Sequence, residues 1–163
     1  MTTTSRPARI VILGVGNELL KDEGIGVHIA RRLEDAPSPP GATLEVIDGG
    51  TLPDVLLSLE GVDRLVVVDA VQGGSEAGAI YRFGPEDIAA DRMAVTSPHQ
   101  VSFLDCLWML ERLGQGPGEV VIIGVEPEDI GWGLQLSATL QQRVPQIIRT
   151  VLSEIGVDRP GQS

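Results

Sequence analysis

Three residues on separate segments of the chain, Glu18, Asp69 and His99, are of types that do chemistry together. Two carboxylates and one imidazole make a mixed oxygen and nitrogen donor set for a divalent metal, with positions left open for water or a substrate group. No pairwise spacing among them is diagnostic. Each also has an ordinary structural use: Asp69 as the cap of a turn, Glu18 as a solvated loop residue, His99 as the start of a helix. Further carboxylates stand at similar places: Asp22 and Glu23 beyond Glu18, Asp48 in the segment Asp48-Gly49-Gly50-Thr51, and Glu126, Glu128 and Asp129 later in the chain.

Other chemistries find less support. Gly14-Val15-Gly16 opens like a dinucleotide fingerprint, and Asp48 stands where the ribose acid would be. The match ends at Leu19, which takes the third glycine position, and Glu18, Asp22 and Glu23 would repel a pyrophosphate. No organic cofactor is expected. Gly73-Gly74-Ser75-Glu76-Ala77 approaches a nucleophile elbow but ends in the wrong residue, and there is no HExxH. Cys106, among Phe103, Leu104, Leu107 and Leu110, reads as a small core residue rather than a nucleophile. Trp108 and Met109 read as packing, and His28 as a surface or partly packed residue of the first helix.

The elements that must position these residues alternate in type. Arg9 to Val15 is a short, β-branched apolar run, as in a strand covered on both faces, Arg64 to Ala70 reads as another buried strand, and Val120 to Val125 as a further strand. Thr43 to Ile47 reads as another strand, and Ala79 to Phe83 as an edge strand. Helices are expected over Gly24 to Glu34, with Ile25, Ile29 and Leu33 on one face, and over Thr51 to Glu60, Gln100 to Leu113 and Leu136 to Ile155. Pro145 should kink the last helix or mark its restart. The order predicts an α/β fold: one open, twisted three-layer sheet of about five mostly parallel strands with one antiparallel edge strand, helices on both faces. Such sheets bind ligands beyond the carboxyl ends of their strands, which is where Glu18, Asp69 and the other loop carboxylates fall.

Composition narrows the class. The 163 residues suit one domain, with a core from about residue 9 to 155. Twelve Lys and Arg against 23 Asp and Glu leave a net charge of −11, which repels phosphate backbones and argues against a nucleic-acid partner. One cysteine excludes a disulfide framework or a multi-cysteine metal site and suits a cytoplasmic protein. The polar start, followed by only a short apolar run from Ile10 to Leu13, does not read as a signal peptide. No stretch of roughly 18 apolar residues predicts membrane insertion. The tail from Asp158 to Ser163 is expected to fray.

Five motifs in order then resemble one family. Gly14-Val15-Gly16-Asn17 through Asp22-Glu23-Gly24-Ile25-Gly26, Asp48-Gly49-Gly50-Thr51, Val68-Asp69-Ala70, Ser97-Pro98-His99-Gln100 and Gly124-Val125-Glu126-Pro127 are similar to those of the [NiFe]-hydrogenase maturation endopeptidases. The resemblance runs from about Arg9 to Ile155. It implies a five-stranded sheet flanked by helices. It also implies removal of a C-terminal extension from the hydrogenase large subunit precursor after nickel insertion. The family's metal-contacting positions match Glu18, Asp69 and His99, so the resemblance assigns these three to the catalytic and metal site. The nickel would be carried by the substrate and used for recognition, which makes cleavage a checkpoint. Whether nickel polarises the scissile carbonyl or a carboxylate activates water is open at this level. The alternative from another class is a non-enzymatic metal- or nucleotide-binding α/β module.

Overall fold

The computed structural model describes residues 6–51, 60–89 and 107–156. Five strands form one sheet: β1 (Ala8–Val15), β2 (Ala42–Gly50), β3 (Arg64–Ala70), β4 (Ile80–Phe83) and β5 (Glu119–Val125). Their spatial order is β2-β1-β3-β5-β4. β1 pairs in parallel with β2 and β3, β3 with β5, and only β4 runs antiparallel, against β5 at the edge. This is the expected sheet. The chain steps from β1 outward to β2, then returns to the other side of β1 as β3. The reversal of strand order thus falls between β1 and β3, the place where sheets of this kind bind ligands beyond the carboxyl ends of their strands.

Four described helices accompany the sheet: α1 (Ile25–Arg32), α2 (Pro85–Ala89), α3 (residues 107–112) and α4 (Ala138–Glu154). Strand alternation sends Ile10, Ile12, Val66, Val68, Val121 and Ile123 to one face, where Ile25 and Ile29 of α1 and Leu140, Val144 and Ile147 of α4 cover them. Val11, Leu13, Leu65, Val67 and Ile122 go to the other face, against Leu107 and Leu110 of α3. Each fully buried aliphatic side chain contributes about 1.5–3 kcal/mol, so the two faces together hold the sheet between its helices.

Several expectations are corrected. The helix expected from Gly24 begins as a 3-10 turn over Lys21–Gly24 and becomes α-helical at Ile25. β2 extends to Gly50, so Asp48 and Gly49 lie in the strand instead of after it. α4 does not restart at Pro145 but runs through it; Pro145 and Gln141 are both exposed, so the missing amide donor falls on the solvent side. Trp108 and Met109, expected as packing, are 45% and 52% exposed, because only Leu107 and Leu110 of that turn face the sheet. α2 was not foreseen; its signal is Pro85 at the first helical position, with Asp87 Oδ2 accepting from Gly84 N at 2.9 Å. The helix expected over Thr51 to Glu60, most of the run from Gln100 and the frayed tail lie outside the described residues.

Candidate active site at the carboxyl ends of β1 and β3

The loop after β1 is shaped by glycines and by backbone hydrogen bonds. A Cβ on Gly14 would stand 2.1 Å from the Gly26 carbonyl oxygen, and one on Gly26 would stand 2.1 Å from that of Val68 and 2.3 Å from that of Val15. α1 therefore starts directly on top of β1 and β3, closer than any side chain would allow. Beyond β1, Leu20 N donates to Asn17 O at 3.1 Å and Leu19 N to Asn17 Oδ1 at 3.0 Å. Glu18 and Leu19 are thus the two middle residues of a tight turn and project at its tip.

Glu18 does not stand alone there. Arg31, in the last turn of α1, holds it with both terminal nitrogens, at 2.6 and 3.1 Å, and reaches Asp48 Oδ2 at 3.3 Å. The Arg31 hydrogen bonds and charge hold the Glu18 carboxyl below the usual range, against a smaller opposing effect of desolvation. Glu18 is therefore a half-exposed anion, oriented from the α1 side and still open to solvent.

Asp69 is the penultimate residue of β3, opposite Gly124 in the register with β5. It is buried, and its Oδ1 accepts from Ala70 N at 2.8 Å. That bond is the local capping use foreseen for an aspartate at this position. Alternation along β3 places Asp69 with Leu65 and Val67, on the sheet face that α3 covers. Glu18 and Asp69 hence leave adjacent parallel strands at the switch point. His99 lies outside the described residues, and among the described residues no three His, Cys, Asp or Glu side chains form a metal-binding group. Cys106 also lies outside them.

Two carboxylates that looked equivalent in the sequence have scaffold roles. Asp22 is fully buried: Oδ2 accepts from Glu128 N (2.9 Å), Asp129 N (3.0 Å) and Ser137 Oγ (2.8 Å), and Oδ1 from Ser137 N (2.7 Å). It ties the loop after β5, and the start of α4, to the loop after β1. Glu126 accepts from Gly73 N at 2.7 Å, Gly74 N at 3.2 Å and Tyr81 Oη at 3.0 Å, fixing the turn that follows Asp69. Buried carboxylates with several donors each are satisfied structural centres. Sequence reasoning missed Arg31, because a base near a helix C-terminus is also the ordinary complement to the helix dipole. It also missed Trp132, in the same clamped loop, which is 81% exposed.

A five-stranded sheet of this topology, with one antiparallel edge strand and helices on both faces, is a fold that known proteins share. Residues 27–154 match the model of a family described as hydrogenase maturation protease. The hydrogenase 2 maturation protease of Escherichia coli is 34% identical over 149 residues, covering 90% of each chain. The structure of the hydrogenase maturating endopeptidase HybD from E. coli superposes with a TM-score of 0.77 at 33% identity, covering 92% of this chain and 95% of that one. The [NiFe] hydrogenase maturation protease HybD from Thermococcus kodakarensis gives a TM-score of 0.74 at 27% identity, covering 90% and 99%. The chain belongs to the hydrogenase maturation protease family and is an endopeptidase. Among the described residues no helix is long and apolar enough to cross a membrane.

Proposed function

We propose that this endopeptidase removes the C-terminal extension of a [NiFe]-hydrogenase large subunit precursor once nickel has been inserted. In this reading Glu18, Asp69 and His99 contact the nickel that the precursor carries. The observation that supports it is that Glu18, ionised on the tip of the turn after β1, and Asp69, near the end of the neighbouring parallel strand β3, leave the sheet at the same switch point. Two hard oxygen donors and one imidazole form an incomplete shell, too poor in soft ligands to retain nickel tightly, and substrate thiolates would complete it. Recognition and processing then become one event: a precursor without nickel offers nothing to bridge the two carboxylates. Arg31 fits the same scheme, since it keeps Glu18 oriented and charged until a stronger cation replaces it. The cytoplasm is the compartment this reading implies, because the substrate is an unfinished subunit.

The test is incubation of the protein with nickel-loaded and nickel-free precursor, read by mass. Cleavage of the loaded form only, lost in Glu18→Gln, Asp69→Asn and His99→Gln, is the expected result. Efficient processing of the nickel-free precursor would refute it.

A further inference from the structure

The loop clamped by Asp22 presents an apolar surface beside Glu18. Leu19 is 50% exposed, Ile130 45%, Trp132 81% and Leu134 62%. They come together because Gly133 N donates to Leu19 O and Lys21 N to Gly133 O, both at 2.9 Å. The arrangement is rigid. Lys21 Nζ pairs with Asp129 at 2.7 Å, Gly131 N donates to Asp129 Oδ1 at 2.9 Å, and Asp22 holds the backbone on both sides of the exposed residues. Lys21 itself adopts φ +47°, a strained conformation for a residue with a side chain, which this loop pairing maintains. An indole held in water by this much preorganised structure gains nothing for the fold, and exposed apolar groups of this kind mark interaction sites.

The surroundings say what fits. Of the six carboxylates on residues 17–23 and 126–137, Asp22, Glu23 and Glu126 are buried, whereas Glu18, Glu128 and Asp129 reach the surface, and the one lysine there is already paired with Asp129. The adjoining Arg31 is likewise taken up by Glu18 and Asp48. The surface is therefore apolar at its centre and anionic at its rim. Its complement is a peptide segment with a large apolar side chain flanked by lysine or arginine. We propose that Leu19, Ile130, Trp132 and Leu134 form the docking platform for such a segment of the precursor next to the scissile bond. The proposal rests on the function given above. Leu19 follows Glu18 in the chain, so a segment seated on the platform is delivered to the carboxylate in the same loop. Platform residues bind substrate and do not take part in the bond cleavage, so they set KM rather than kcat.

The experiment uses the full chain with Trp108→Phe, leaving Trp132 as the single tryptophan, labelled as 5-fluorotryptophan. Adding nickel-loaded precursor should shift the fluorine resonance, and raising salt should weaken that response. Trp132→Ser should raise KM about tenfold or more with kcat preserved, and Trp132→Phe should restore most of the loss. A resonance that moves with the protein's own concentration, together with a doubled sedimenting mass, would assign the patch to a second copy and overturn the proposal. An unmoved resonance and unchanged KM in Trp132→Ser, with Glu18→Gln inactive, would overturn the platform and leave the metal reading standing. Normal processing by Glu18→Gln beside a raised KM in Trp132→Ser would do the opposite.

Discussion

Replacing Asp22 by Asn tests whether the carboxylates around the switch point divide into scaffold and site. The side chain keeps its size but loses one acceptor and gains a donor. If the amide oxygen takes the place of Oδ2, it can still meet Glu128 N, Asp129 N and Ser137 Oγ, as neutral rather than charge-assisted bonds. The amide nitrogen then faces Ser137 N, donor against donor, where Oδ1 accepted at 2.7 Å. An unsatisfied buried donor costs about 1–3 kcal/mol, and each of the three weakened bonds about 0.5–1 kcal/mol more, for a total of about 2.5–6 kcal/mol. For a chain of 163 residues that lowers the thermal midpoint by about 5–24 °C. Thermal unfolding at neutral pH measures it, and amide exchange at Glu128 and Asp129 should lose protection together with the midpoint. A midpoint within about 2 °C of the wild type would show that Asp22 is not the clasp its four hydrogen bonds describe.

The remaining outcomes separate the other roles. Glu18→Gln should leave the thermal midpoint where it is and abolish processing, because Glu18 is half exposed and its partner Arg31 keeps Asp48; a large loss of stability would make Glu18 a scaffold residue. Gly26→Ala drives a methyl group into the Val15 and Val68 carbonyls and should destabilise by about 3 kcal/mol or more, read from the denaturant midpoint, with a wild-type midpoint as the refuting result. Burial, and then the charges of Arg31 and Arg32, push the His28 imidazole below its ordinary value, with Glu18 and the Leu134 backbone opposing. The unfolded chain therefore takes up the His28 proton first as pH falls: this contribution is complete above about pH 6.5 and is lost below it, down to the folded value. His28→Gln should flatten the stability profile just below about pH 6.5, and an unchanged slope would count against it.

The apolar runs of β1, β3 and β5 fully account for the layered sheet, because continuous β-branched segments can be satisfied only between two covering layers. The turn residues between them were enough to place carboxylates at one edge, since the loops after parallel strands all emerge on the same side. Periodicity could not separate Glu18 from Asp22, four residues apart on one loop. Their difference lies in long-range partners: Arg31 from α1 for the first, the backbone of residues 128, 129 and 137 for the second. Glycine spacing suggested a phosphate loop, whereas the contacts of Gly14 and Gly26 are with each other's segments, a matter of distances that composition does not record. The exposed side of Trp132 was equally hidden, because apolar residues in a connecting loop read as packing, and only the pairing of Gly133 with Leu19 and Lys21 decides that it faces water beside Glu18. Local sequence determined which elements form, through propensity and alternation. Tertiary structure decided which of several like residues are buried, paired or open, because burial and pairing depend on chain segments more than a hundred residues apart.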